Sequence, residues 1–271
     1  MNELQAKLVD MLSWFHKMCE ENNLRYYIIA GTMLGAVRHK GFIPWDDDID
    51  VGMPRSDYER LRKLVDEKMK GRYVIEYPGL DNKEYTHLFA KVYDTNTTFI
   101  EKRRYKIKRG IYIDIFPLDG IGNDIEEARE NYKPFKRNFK LFLIISCAFL
   151  KRRSLLKNMG VLMGRIISPA FVNINKLAKK VDYICSRYDF DTSMIVSNLM
   201  GGSGVKGMVP REYFGKPTPI QFENITVYGL EKPELYLKSM YGNFMELPPV
   251  EKRVSLHDAV ECNLNKSYLE E

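Results

Sequence analysis

The chain has 271 residues, 45% of them hydrophobic and 29% charged, a balance that can bury a substantial core and that excludes long disorder. Lysine and arginine outnumber aspartate and glutamate by 42 to 36, and the resulting formal charge of +6 suits an anionic ligand such as a nucleotide, a phosphorylated glycan or a lipid headgroup without demanding nucleic acid. Cys19, Cys147, Cys185 and Cys262 are scattered, with no C-x-x-C pair and no histidine at zinc spacing, so they read as reduced thiols of a cytoplasmic protein. Met1 to Asp10 lacks a signal-peptide apolar region, and the longest apolar stretch, Leu141 to Leu150, is too short to span a bilayer.

In chain order, Leu4, Leu8, Met11, Leu12, Phe15 and Met18 recur at helical spacing and predict an amphipathic helix that ends at Asn22 and Asn23. Tyr26 to Ala30 reads as a short buried strand stopped by Gly31, and Thr32 to His39 as a turn or short helix. Asp48 to Met53 alternates acidic and apolar residues, the pattern of a strand with one face in a polar cleft, and Pro54 is placed to open the next helix. Strands are expected at Tyr73–Tyr77, His87–Tyr93, Thr97–Glu101 and Ile111–Phe116. From Asp124 to about Arg187 the pattern is helical, with basic clusters and bulky apolar faces. The segment from Ser193 onward reads as irregular, apart from a short helix at Pro233–Met240.

The chemistry concentrates in Ala30-Gly31-Thr32 and in Trp45-Asp46-Asp47-Asp48-Ile49-Asp50. Residues two apart in a strand face the same side, so Asp48 and Asp50 would present two carboxylates about 7 Å apart at the backbone, with tips able to converge. Adjacent carboxylates repel unless a cation lies between them, and Mg²⁺ takes hard oxygen ligands while leaving positions open for phosphate. Asp114 is a lone acid in the apolar strand Ile111–Phe116, where an uncompensated charge is costly to bury. Gly31 and Thr32, small residues just after a strand, let backbone N–H groups and a hydroxyl approach a phosphate. A run such as Asp46 to Asp50 is ordinarily a solvated turn, but the apolar alternation and the matching acid in a second strand argue for a site. An EF-hand is excluded, because its obligatory glycine falls on Val51 and its final glutamate on Asp57.

These residues carry a family resemblance. Gly31-Thr32, Gly35-Ala36, Arg38 and the run Gly41-Phe42-Ile43-Pro44-Trp45-Asp46-Asp47-Asp48-Ile49-Asp50 resemble the signature of the LicD family of phosphocholine transferases, whose animal relatives include fukutin and fukutin-related protein. The likeness extends to Lys91-Val92-Tyr93-Asp94, to Ile113-Asp114-Ile115-Phe116-Pro117-Leu118-Asp119, and to Tyr241-Gly242 with Leu247-Pro248-Pro249, Arg253 and His257. It implies an α+β nucleotidyltransferase fold: a mixed β-sheet core flanked by helices, with an inserted or appended helical region. Residues 1–123 would form the catalytic core, 124–192 the helical region, and 193–271 a segment that packs back on the core and completes the cleft.

The resemblance further implies that Asp48 and Asp50 bind Mg²⁺, or alternatively Mn²⁺, and that Asp114 completes the metal shell or takes the acceptor's proton. Gly31, Thr32, Arg38, Lys40 and Lys91 would hold the donor diphosphate, since phosphoryl transfer needs charge neutralisation in its transition state. Trp45, Tyr93 and Tyr112 are candidates for a choline cage, and His87 for orienting a phosphate or serving as a structural residue. The expected donor is CDP-linked, such as CDP-choline or CDP-ribitol, and the acceptor a glycan or lipid-linked glycan. True nucleotidyl transfer and a non-catalytic scaffold are the rival readings. The cations around Leu141–Leu150, Lys133 to Lys140 and Lys151 to Lys157, leave two readings open: peripheral contact with the inner face of the plasma membrane, with Leu141, Phe142, Ile145 and Phe149 dipping into the lipid, or apolar runs that pack on the catalytic domain with the cations as its solvated rim.

Overall fold

In the computed structural model, α1 (Glu3–Glu21) starts at a capping box in which the Asn2 side chain accepts the Gln5 N–H at 2.8 Å while the Gln5 side chain accepts the Asn2 N–H at 3.0 Å. The structure describes residues 1–68, 71–78, 87–102, 106–146, 159–160, 162–163, 172–254 and 259–270. The apolar stripe of α1 is buried at Leu8, Met11, Leu12, Phe15 and Met18, as its spacing requires.

The remaining elements are β1 (Tyr27–Ile28), α2 (Ala30–His39), β2 (Asp50–Pro54), α3 (Arg55–Lys68), β3 (Tyr73–Glu76), β4 (Ala90–Asp94), β5 (Thr98–Lys102), β6 (Lys106–Arg109), β7 (Tyr112–Gly122), α4 (Ile125–Ser146), α5 (Ile174–Cys185), β8 (Ile195–Ser197), β9 (Met208–Pro210), β10 (Thr218–Phe222), β11 (Ile225–Gly229), α6 (Pro233–Tyr241) and β12 (Ala259–Asn263). The central sheet runs β1-β2-β7-β4-β3, with β8 pairing β7 and β9 pairing β8. Only the β2–β7 pair is parallel in this sheet; the described neighbours are otherwise antiparallel, so the sheet is mixed, as expected for an α+β nucleotidyltransferase-like fold. Strand β7 has 11 residues, and all but Tyr112 are buried, because β2, β4 and β8 all pair with it. A second sheet, β12-β5-β6, and the hairpin β10-β11 complete the fold.

Several boundaries depart from the sequence reading. The turn or short helix expected at Thr32–His39 is a ten-residue helix that already starts at Ala30, and β2 begins at Asp50, which leaves Asp48 in the preceding loop. A turn closed by the Asp46 N–H on the Ile43 carbonyl at 2.8 Å precedes it, and bonding to β7 begins at Ile49, whose carbonyl accepts the Asp114 N–H at 3.0 Å. Pro54 ends β2 instead of opening the helix, at a position where the ladder stops and its missing N–H costs nothing. Strand β6 escaped the reading because Lys106, Lys108 and Arg109 hide its one buried apolar residue, Ile107. Far from being irregular, the segment from Ser193 onward supplies five strands, and β8 and β12 pair with β7 and β5 of the N-terminal half.

In the helical region, α4 is capped by the Asp124 carboxylate, which accepts the Glu126 and Glu127 N–H groups, both at 2.8 Å. Of the two readings of this segment, Phe142 and Ile145 follow the packing one and are buried on the fold, whereas Leu141 and Leu143 are exposed. Arg152, Arg153 and Phe149 lie outside the described residues. No described helix is long and apolar enough to cross a membrane. Among the cysteines, Cys19 and Cys185 are buried free thiols and Cys262 is an exposed one, while Cys147 lies outside the described residues.

Candidate active site

The site is built where β1 turns into α2 beside the start of β2. The Ile29 N–H donates to the Asp50 carbonyl at 3.0 Å, and the Asp50 N–H donates to Thr32 Oγ1 at 2.8 Å, so α2 and β2 are stitched together at the first acid of the strand. Ala30, between them, sits in the left-handed region at φ 48°, a strained conformation for a residue with a Cβ. Its N–H donates to the hydroxyl of buried Tyr236 on α6 at 3.2 Å, which holds the turn in place. At Gly31 an added Cβ would lie 3.0 Å from Asp46 Oδ2, so glycine lets the acidic loop come up against the helix start.

Asp50 and Asp114 occupy the same register position of the parallel pair β2–β7. Neighbouring strands are about 4.8 Å apart, so these two side chains leave the same face of the sheet side by side. Asp48, Asp46 and Asp47 lie in the loop just before, and ligand oxygens of those three acids all fall within 4.8 Å of one another. Among the described residues that trio is the tightest acidic group, with Asp50 and Asp114 outside it. Burial, followed by the charges of Asp48, Asp114 and Asp46, pushes the Asp50 carboxyl well above the usual carboxylate range. Asp114 is likewise raised by burial, against the opposing pull of Lys91. Such a concentration of hard anionic oxygens fits a divalent cation, which would relieve the repulsion.

Beyond Gly31 and Thr32 at the start of α2, the candidate phosphate and headgroup residues lie in three places. Lys91, 1% exposed, puts its ammonium 2.6 Å from Asp114 Oδ1 and 3.5 Å from Glu101 Oε1. It also stands 3.3 Å from the Tyr112 ring centroid, so Lys91 itself covers the ring proposed for a choline cage. Tyr93 is fully buried, and its ring lies 6.2 Å from that of Tyr112. His87 is buried with Nε2 3.3 Å from Glu101 Oε1. Buried Lys91, Tyr93 and His87, with the half-buried Tyr112, therefore lie together behind Asp114.

Trp45 and Arg38, by contrast, line an open cleft of about 470 Å³ between α2 and residues 241–249. Arg38 donates from Nη1 to the Phe244 carbonyl at 2.7 Å and from Nε to His39 Nε2 at 2.9 Å. The side chain of Lys40 is exposed at the left-handed end of α2, where its carbonyl accepts the Glu223 N–H at 2.7 Å.

Sequence reasoning did not single out Glu101 or Tyr236. A glutamate in an alternating strand looks like a solvated charge, and a tyrosine on a C-terminal helix gives no local sign of the turn it supports. Asp119, in the same motif as Asp114, has a different role. It is fully buried, receives Arg55 Nε at 2.7 Å and Nη2 at 2.8 Å, and ties β7 to α3.

A mixed sheet that sets two acids in register on adjacent parallel strands, beside a small-residue turn at a helix start, is the arrangement of the nucleotidyltransferase class of transferases. Residues 23–144 match the family described as "LicD/FKTN/FKRP, nucleotidyltransferase domain". The chain is 28% identical over 260 residues to the lipopolysaccharide cholinephosphotransferase LicD of Haemophilus influenzae, covering 95% of this chain and 96% of that one. It is 37% identical over 137 residues to an uncharacterized protein of Rickettsia prowazekii, covering 43% of this chain and 52% of the other. Over 45 residues, 17% of this chain and 9% of the relative, it is 40% identical to the human ribitol 5-phosphate transferase FKRP.

Proposed function

We propose that the protein transfers phosphocholine, or a similar phospho-alcohol such as ribitol phosphate, from a CDP-linked donor to a sugar hydroxyl of a cell-surface glycan precursor, of the lipopolysaccharide or teichoic-acid kind, releasing CMP. The observation that carries the proposal is the parallel register of Asp50 and Asp114 beside the Gly31–Thr32 turn. Full-length similarity to a lipopolysaccharide cholinephosphotransferase supports the transferred group and the acceptor class. The CDP-linked donor is the one the family resemblance implies, and the clustered carboxylates of Asp46, Asp47 and Asp48 support a divalent metal.

Asp48 and Asp50 are the metal ligands in this reading, with Asp46 and Asp47 close enough to contribute. Mg²⁺ or Mn²⁺ bound there would neutralise the donor diphosphate and the leaving CMP. Asp114 stands beside Asp50, and its carboxyl, raised by burial, is the group placed to accept the proton of the acceptor hydroxyl or to complete the ligand set. Lys91 fixes that carboxylate from behind. The Gly31 and Thr32 turn brings the start of α2 against the same acids, where small residues allow phosphate oxygens to approach. An acceptor carried on a lipid would be met at the inner face of the plasma membrane, so a cytoplasmic, peripheral location accords with this activity.

The test is a panel of CDP-linked donors incubated with glycan acceptor, with and without Mg²⁺, and analysis of both products. CMP together with a phospho-alcohol on the sugar is the expected outcome. Release of pyrophosphate would convert the assignment to true nucleotidyl transfer, and failure to bind either Mg²⁺ or a cytidine nucleotide would make the chain a non-catalytic scaffold.

A further inference from the structure

The cleft between α2 and residues 241–249 is not explained by the acidic centre. One wall is apolar and aromatic, from Leu34, Ile43, Trp45, Tyr241, Leu247 and Pro248. The other feature is a pair of guanidiniums. Arg38 lines the cleft and is anchored to the Phe244 carbonyl. Arg253 donates from Nε to the Pro248 carbonyl at 2.8 Å and stands 5.7 Å from the centroid of the Trp45 ring.

Arg38 lines the cleft and Arg253 is held at Pro248 and Trp45 of its wall, which places two mutually repelling charges about it, and burial weakens the hold of Arg38 on its proton. An anion between them would relieve that repulsion, and guanidiniums match the geometry of phosphate. The cleft lies beside the acidic loop, because Trp45 on its wall directly precedes Asp46 in the chain. A ligand seated there would have an apolar or planar body against Trp45 and the prolines and an anionic end shared by the arginines and a metal at the acids.

We infer that this cleft receives the nucleoside diphosphate half of the donor, and that Arg253 is a donor-binding residue acting together with Arg38 and Trp45. The inference rests on the nucleotide-donor reading above and assigns that donor a place. The transferred headgroup is then directed past Asp50 toward Asp114, and the Tyr112 ring, covered by Lys91, takes no part in recognising it.

The chain has two tryptophans, and Trp14 packs on Tyr73 with ring centroids 5.2 Å apart in a different part of the fold. In a Trp14→Phe background the emission of Trp45 reports on the cleft alone. CMP is titrated with Mg²⁺ present, while equilibrium dialysis of labelled CMP counts binding anywhere on the protein. Saturable change in Trp45 emission is expected, with affinity reduced by roughly tenfold or more in Arg253→Met, the scale of a lost charge-assisted contact. Leu247→Phe, which narrows the cleft without removing a charge, should weaken CMP in the same two measurements. If dialysis shows CMP bound but Trp45 is silent and both variants bind normally, the nucleotide sits elsewhere, and the cleft assignment falls while the proposed transferase stands. If no CMP is bound in dialysis, the assignment and the donor reading fall together.

Discussion

Asp50 and Asp114 face each other at one register step of the parallel strands β2 and β7, and the ammonium of Lys91 caps the second acid at 2.6 Å. One member of the pair thus carries a protein counterion and the other leans on Asp48 and Asp46, which are acids themselves. This asymmetry divides the labour of the site and governs the first two predictions.

Asp48→Asn and Asp50→Asn should abolish turnover and leave the fold intact, because each removes charge from a crowded acidic corner and no apolar contact. Losses of several orders of magnitude are the scale expected when such charge is removed. Thermal unfolding and product release measured on the same purified variants check this; near-normal activity in either folded variant would remove the metal-site assignment. In Asp114→Asn, CMP binding should survive better than turnover if the main task of that acid is proton transfer.

Lys91→Met strands a buried carboxylate without its cation. Breaking a buried ion pair by removing one partner costs about 3–5 kcal/mol, so urea unfolding should show a large loss. Adding Asp114→Asn to Lys91→Met should recover much of that stability and none of the activity. Simple additivity of the two substitutions in the unfolding measurements would mean that the pair contributes little.

Arg55→Met tests the contrasting role of Asp119. The guanidinium binds the fully buried Asp119 through two bonds and reaches Asp182 on α5 at 2.8 Å, so its loss should destabilise the fold by about 3–5 kcal/mol. Any variant that stays folded should retain CMP binding, since no part of this network touches the acidic corner. Loss of binding in a well-folded Arg55→Met protein would contradict that separation.

A pH effect is expected from the Arg25–Asp191 pair. Arg25 donates to Asp191 from Nη1 at 2.6 Å and from Nη2 at 2.7 Å, and this bonding holds the Asp191 carboxyl below its ordinary value of 3.8. A carboxyl depressed in the folded state contributes stability that is fully present above its unfolded value and is lost as pH falls through the folded one. Asp191→Asn should therefore flatten part of the acid-side decline in melting temperature below about pH 4 and change nothing in its slope above pH 5. The effect is small, because the pair is partly exposed and screened by solvent. An unchanged acid limb would show that Arg25 is held by Asp57 alone.

Local chemistry was legible without the fold. The stripe Leu8, Met11, Leu12 and Phe15 predicts its helix because helical period is a property of neighbours in sequence, and the acids at 48, 50 and 114 stand out because a charge in an apolar strand demands a reason. The small-residue turn at Gly31 and Thr32 is read in the same way, and the motif around it carries the family likeness. Partnership across the chain was beyond such reading. That Asp114 shares a register with Asp50, that Lys91 turns inward to Asp114 instead of out to a phosphate, and that Tyr236 supports the left-handed Ala30 all depend on strand order and helix docking between residues distant in sequence. Burial made the difference for Phe142, Ile145 and Tyr93, whose apolar or aromatic character suits membrane, ligand and core equally until tertiary packing chooses the core. The same packing brings residues 241–249 beside Trp45, because a cleft is formed by two surfaces and no single stretch of sequence contains both.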